Sequence, residues 1–325
     1  MRRLAALVLL GTLLGCSRTE PRADADASAP RVGASVSAVA VEPAGPPRLL
    51  YLPDGGDVAP PRASGQELLP GPWGLRGPSR CPPEMVDVRG RFCIDRYEAS
   101  LVDARSGREL SPYYHPTRRA TAELYGLWQK RRGDEPTEAG RSMTVPAPPA
   151  WQLSSDPEPK ATSRAGVTPN GYLDAMTAAR ACGAAGKRLC APDEWMMACR
   201  GEQGRKFPYG ATYQQGKCNV FREAHPAAVL HGNASTGHLD PRLNLVAVGG
   251  RRLLRATGAT PDCRSQWGED AIYDMVGNLD EWVDSERGLF LGGFYSRSTR
   301  EGCDSSVSAH PRQYFDYSLG VRCCK

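Results

Sequence analysis

Tyr273-Asp274-Met275-Val276-Gly277-Asn278-Leu279-Asp280-Glu281-Trp282 is the stretch on which the reading of this chain turns. Taken on its residues alone, Asp280, Glu281 and the nearby Asp284 read as a solvated helix start, with an acid–base cluster as the sharper alternative. Two other stretches stand around it. Upstream is Gly186-Lys187-Arg188-Leu189-Cys190-Ala191-Pro192-Asp193-Glu194-Trp195, continuing to Ala198-Cys199-Arg200-Gly201. Downstream are Leu291-Gly292-Gly293 and Gly320-Val321-Arg322-Cys323. In this order and spacing they are far more specific than any one of them.

The composition sets the outer limits. The chain has 325 residues, 40% hydrophobic and 24% charged, as expected of a soluble globular protein of one large or two small domains. A net charge of +5 is too small to argue for nucleic acid, which calls for a strongly basic face. There is no HExxH, CxxC, GxSxG, P-loop or dinucleotide fingerprint, and the five histidines show no ligand spacing. Eleven cysteines are an odd number, which an exported chain must account for.

The start of the chain supplies an account. Met1-Arg2-Arg3 precedes an apolar run, Leu4 to Leu14, and then Gly15-Cys16. This is the pattern of a secretory signal, too short to span a bilayer. Leu13-Leu14-Gly15-Cys16 resembles the bacterial lipobox, so residues 1–16 are expected to direct export and Cys16 to carry lipid, anchoring the protein in the cell envelope. That leaves ten cysteines, an even number. Residues 17–80 hold 11 of the 28 prolines and little that a core could bury, the composition of a disordered tether.

From Cys81 the texture changes. Met85–Val88 and Phe92–Asp95 alternate as strands on either side of Arg89-Gly90-Arg91, a hairpin signal. Residues 103–165 are rich in Arg, Pro and Ser and read as an insertion, with a helix near 120–132 and a solvated basic face (Arg118, Arg119, Lys130, Arg131, Arg132). Leu173, Met176, Ala179 and Cys182 recur at helical spacing and predict a helix that stops at Gly183/Gly186. Pro192 suits the first turn of a second short helix ending at Gly201. The fold class expected is α+β, loop-rich and low in secondary structure, over 81–325.

The three quoted stretches resemble signature segments of the formylglycine-generating enzyme (sulfatase-modifying factor) family, whose fold is related to that of C-type lectins. Phe92-Cys93-Ile94-Asp95-Arg96-Tyr97-Glu98 is similar to the family's opening strand. The resemblance covers 81–102 and 167–325. Family members that make formylglycine oxidise a cysteine with a copper ion held by two thiolates. The matching positions here are Arg297 and Gly302, the serine position is Phe294, and the tryptophan before the glutamate is Asp280. Soft thiolates select copper, so copper is not expected here and neither is the family's catalysis. The rival is an oxidoreductase with a diverged site. The resemblance also implies a structural Ca²⁺ loop using Asp274, the carbonyls of Gly277 and Leu279, and Glu281, hard oxygen donors that suit the ion. A second family calcium site would begin at Asn219, its other ligands not being recognisable.

The resemblance further implies disulfides Cys182–Cys323 and Cys199–Cys303. Cys190–Cys324 is inferred because each is a neighbour of a paired position. Cys81–Cys93 would staple the hairpin, and Cys218–Cys263 would tie the middle loop. Such bridges require an oxidising compartment, in agreement with export. The function expected is a non-catalytic envelope lipoprotein that binds a protein, peptide or glycan, or takes part in an envelope assembly.

Overall fold

The computed structural model describes residues 80–220, 224–297 and 299–325. Cys16 and, but for Arg80, the tether expected over 17–80 lie outside the described residues. Among those described, no helix is long and apolar enough to cross a membrane.

The domain opens with β1 (Met85–Val88) and β2 (Phe92–Asp95), an antiparallel hairpin turned through Arg89 and Gly90, both at positive φ. That is the turn geometry whose twist matches the flanking strands. β3 (Ala99–Asp103) follows. The chain next makes an excursion through α1 (Arg118–Arg131), α2 (Glu138–Ser142) and α3 (Ala150–Ser154), and returns in β4 (Pro159–Ser163). β4 pairs with β3 from Ala99↔Ser163 to Asp103↔Pro159, so the expected insertion is an elaborated loop closed by a two-stranded ladder. It has its own small core of Tyr114, Leu124, Trp128 and Val145. Its basic face is exposed and locally paired, Arg118 to Asp156 and Arg119 to Glu123.

The next elements are α4 (Ala175–Ala184), β5 (Arg188–Leu189), α5 (Pro192–Arg200) and α6 (Pro226–His231). α4 begins where the Asp174 side chain accepts from Thr177 N. That start turns Ala175, Ala178, Ala181 and Cys182 inward. Met176, expected on the apolar face, is 40% exposed. The reason is that Leu173 is buried before the helix begins, so it does not belong to the helical stripe. In α5, Pro192 occupies the first turn, and the Glu194 side chain reaches back to accept from Ala191 N. Gly201 ends it at φ +67°.

Short hairpins follow: β6 (Ala247–Val248) with β7 (Arg251–Arg252), and β8 (Arg264–Trp267) with β9 (Asp270–Tyr273). The last strands are β10 (Asp280–Val283), β11 (Leu289–Leu291), β12 (Ser306–Val307), β13 (Leu319–Val321) and β14 (Cys323–Cys324). They form two four-stranded sheets, β12-β11-β10-β13 and β1-β2-β14-β5. A single residue, Arg322, separates β13 from β14 and carries the chain from one sheet to the other.

Five disulfides join Cys81–Cys93, Cys182–Cys323, Cys190–Cys324, Cys199–Cys303 and Cys218–Cys263. The adjacent Cys323 and Cys324 tie β14 to α4 and to the turn after β5; Cys190 and Cys324 lie in a buried core with Trp195, Trp267 and Ile272, and Cys182 and Cys323 in a second one with Leu173 and Trp282.

Candidate functional site

Asp280 and Glu281 are neither solvated nor helical. Both are buried in β10, where the expected helix start is a strand whose four residues are all inaccessible. Successive strand residues face opposite sides, so the two carboxylates serve two separate clusters instead of one acid–base pair. Asp284, the third expected member, is exposed.

On one side Glu281 meets Arg322. Glu281 Oε1 accepts from Arg322 Nη2 at 2.9 Å, and Oε2 accepts from Trp195 Nε1 at 2.6 Å. Arg322 also donates to the carbonyls of Asp95 (2.9 Å) and Tyr273 (2.7 Å), holding β2, β9 and β10 at the corner between the sheets. Asp274 sits close by at φ +59°, its Oδ2 accepting from Gly258 N at 2.7 Å. A third buried acid, Glu98, accepts from Leu279 N (2.9 Å) and Asn278 Nδ2 (2.5 Å). Burial, then the neighbouring carboxylates Asp274 and Glu281, push Glu98 well above the ordinary carboxylate range. Burial pushes Asp274 up to about 7, against the Gly258 hydrogen bond.

These residues include every one expected to hold calcium: Asp274, Gly277, Leu279 and Glu281. Gly277 has φ +86° and packs so closely on Asn219 that a side chain there would overlap the Asn219 backbone. Asn278 N donates to Asn219 O at 3.1 Å, which brings the expected start of the second site against the first. The donor set is all oxygen, and the buried carboxylates outnumber the one buried guanidinium among them. That chemistry fits a hard dication. Glu281 would have to share its oxygens with Arg322 and Trp195, which already engage both.

On the other side of β10 lie three of the positions expected to match the copper centre, Asp280, Phe294 and Arg297. β11 runs antiparallel to β10 and β13 runs parallel to it, so 292–297 and 316–318 converge on Asp280. Asp280 Oδ1 accepts from Gly293 N at 3.0 Å and from Arg297 Nη2 at 2.6 Å. Its Oδ2 is buried with no hydrogen-bond partner among the described residues. Burial pushes Asp280 up to about 7, opposed by the Arg297 charge. The Arg297 guanidinium also lies 5.9 Å from the Phe294 ring. Gly302 stands apart from this pair, packed at φ +62° against Lys206 and Phe207, where a side chain would not fit.

Phe294 is the entry to an aromatic cluster that the sequence reading missed. Its ring meets Tyr317 at 5.6 Å and His225 at 6.2 Å, both edge-on. His225 Nε2 is 3.1 Å from Tyr317 Oη, and His238 lies 6.4 Å from the His225 ring and 5.9 Å from that of Tyr317. Burial, then His238, hold the His225 pKa below its ordinary value. The two histidines, Phe294 and Arg297 are all partly exposed, and their contacts join them into a polar aromatic face. No spacing signal could have joined them, because α6 and the turns after it place them in space.

A model of the sulfatase-modifying factor enzyme 1-like domain matches residues 75–325. The chain belongs to that family. Solved structures with similarity to it include CarF (14% identity, TM-score 0.32), covering 72% of this chain and 85% of that one. PvdO from Pseudomonas aeruginosa shows 16% identity over 72% of this chain and 79% of its own, with TM-score 0.31. Treponema denticola variable protein 1 shows 11% identity over 72% and 94%, with TM-score 0.31. No curated protein matches the chain. The domain match spans the insertion as well as the segments that carry the motifs.

Proposed function

We propose that this family member is an exported, lipid-anchored envelope protein whose domain binds a partner and does not oxidise cysteine. The observation that carries the reading is the 2.6 Å ion pair between Arg297 and Asp280. Arg297 stands where the family's first thiolate would be, and Gly302, with no donor side chain, stands at the second. A guanidinium beside a would-be Cu(I) site repels the ion and offers no electron pair to it. Phe294 in place of serine adds an apolar ring facing His225 and Tyr317. Rigid aromatic rings with imidazole and guanidinium groups between them suit the recognition of a peptide or glycan. Ca²⁺ at Asp274, Gly277, Leu279 and Glu281 would brace the loop beneath this face from the opposite side of β10.

The test uses the purified chain with Cu(I), oxygen and a cysteine peptide. The expected result is no stoichiometric copper and no aldehyde product, with partner capture from envelope extracts lost in Phe294→Ala. Tight copper with conversion of the peptide would overturn the reading in favour of an oxidoreductase.

A further inference from the structure

The elaborated loop 103–165 is fastened to segment 226–243 by a buried group of charges that the binding reading does not use. His231 is the last residue of α6; its side chain is 6% exposed, and its Nδ1 lies 2.6 Å from Glu135 Oε2. Its Nε2 lies 3.3 Å from Asp240 Oδ2, an ionic contact not aligned as a hydrogen bond. Arg242 is fully buried, with Nη2 2.7 Å from Asp240 Oδ2 and 3.6 Å from Glu135 Oε1. Arg242 Nη1 donates to the carbonyls of Gly140 and Met143. The Trp128 ring of α1 covers the group, 5.2 Å from the His231 ring and 5.9 Å from the Arg242 guanidinium. Thr137 Oγ1 donates to the Val229 and Leu230 carbonyls of α6.

Two further cations approach from the loop side. Arg131 lies 5.7 Å from the Trp128 ring, and Arg141 Nη1 donates to the Glu135 carbonyl at 2.7 Å. Glu135, His231 and Asp240 are also the one group of three among the described residues close enough to share a metal ion. Arg242 lies against both carboxylates, so the chain already supplies the cation there. With His231 protonated, the charges of Glu135, Asp240, Arg242 and His231 balance. With it neutral, one buried carboxylate is left without compensation.

We propose that His231 is a proton-operated latch that closes the 103–165 loop onto α6 and the 232–243 segment, and so fixes the two histidines of the binding face. The coupling is built into the chain. α6 is preceded directly by His225 and ends in His231, and the turn that brings Asp240 to the latch carries His238 two residues earlier. The consequence for ligand binding rests on the reading above, whereas the latch itself does not.

Burial opposes the charge on His231, and the carboxylates of Asp240 and Glu135 outweigh it, so its pKa lies above the ordinary 6.5. The stability it contributes is therefore complete below about 6.5 and is lost as pH rises through the elevated folded value. The latch holds in mildly acidic to neutral conditions and loosens toward alkaline pH.

Hydrogen exchange of the full chain between pH 5.5 and 9, corrected for intrinsic rates, reads this directly. Peptides spanning 118–145 are compared with the β1–β2 hairpin as internal reference. Their protection is expected to fall with rising pH by roughly tenfold for each unit by which the histidine is elevated. His231→Gln gives low, pH-independent protection of 118–145. Glu135→Gln, which retains the hydrogen-bonding shape, moves the transition to lower pH and carries the test if His231→Gln fails to fold. Protection that follows the reference hairpin at every pH, or a transition that persists in His231→Gln, overturns the latch. Neither measurement uses a partner or copper, so failure of the binding reading leaves this outcome unaffected.

Discussion

Arg297 anchors one side of β10 through its ion pair with Asp280. Its guanidinium is partly exposed, while the carboxylate it meets has 1% exposure. Removing a partner from a buried charge costs more than the pair gains, because the remaining ion keeps its desolvation penalty. Arg297→Ala is therefore expected to destabilise the domain by about 1–3 kcal/mol, below the fully buried case because Arg297 still reaches water. Asp280→Asn in the same chain should recover about 1 kcal/mol of that, since the amide oxygen still accepts from Gly293 N. Urea unfolding of the two single variants and the double variant measures the coupling. Purely additive effects would show that the pair is not what holds the two residues together.

The 274–281 loop is the element on which the calcium expectation is decided. Glu281 is a poor place to test it, because its removal leaves Arg322 buried without its ion pair, with a loss of about 3–5 kcal/mol whether or not calcium binds. Asp274→Asn is the cleaner variant, as it keeps the Gly258 hydrogen bond and removes one charge. Wild type is expected to gain thermal stability on adding Ca²⁺ and Asp274→Asn to gain none, both followed by calorimetry. An equal response in both would remove Asp274 from the site. The same scale shows what could be read in advance. Two helices and the opening hairpin were legible because turn residues, proline and helical spacing act locally. Met176 was misplaced because Leu173 lies before the Asp174 cap, so the apparent stripe crosses an element boundary. Asp280 and Glu281 were misread because polarity suggested exposure, whereas their partners, Arg297 and Arg322, arrive from elsewhere in the chain. The Asn278–Glu98 bond spans 180 residues, and no local pattern announces a contact of that kind.

At the scale of the whole molecule, cross-links do much of the work that long helices and sheets do elsewhere. Cys182–Cys323 closes 141 residues and Cys81–Cys93 closes 12. Taken alone in the chain-entropy model, the first is worth about 5 kcal/mol and the second about 3 kcal/mol. Cys182→Ala/Cys323→Ala is therefore expected to lower stability more than Cys81→Ala/Cys93→Ala in urea unfolding under oxidising conditions. The reverse order would mean that native strain or residual structure in the unfolded chain outweighs loop entropy. The family and the α+β class were both legible from short motifs. The latch and the aromatic face were not, since both are made by the return of distant segments.

The placement of Cys323 and Cys324 also bears on how the chain is made. Cys182, Cys190 and Cys199 emerge from synthesis or export well before the residues at 303–324 that they bond. For that interval they are free thiols within reach of one another, and any bridge formed among them must be broken again. Stapling of the core thus comes last in the order of the chain, and an early wrong bridge is undone only by thiol–disulfide exchange with a free thiolate.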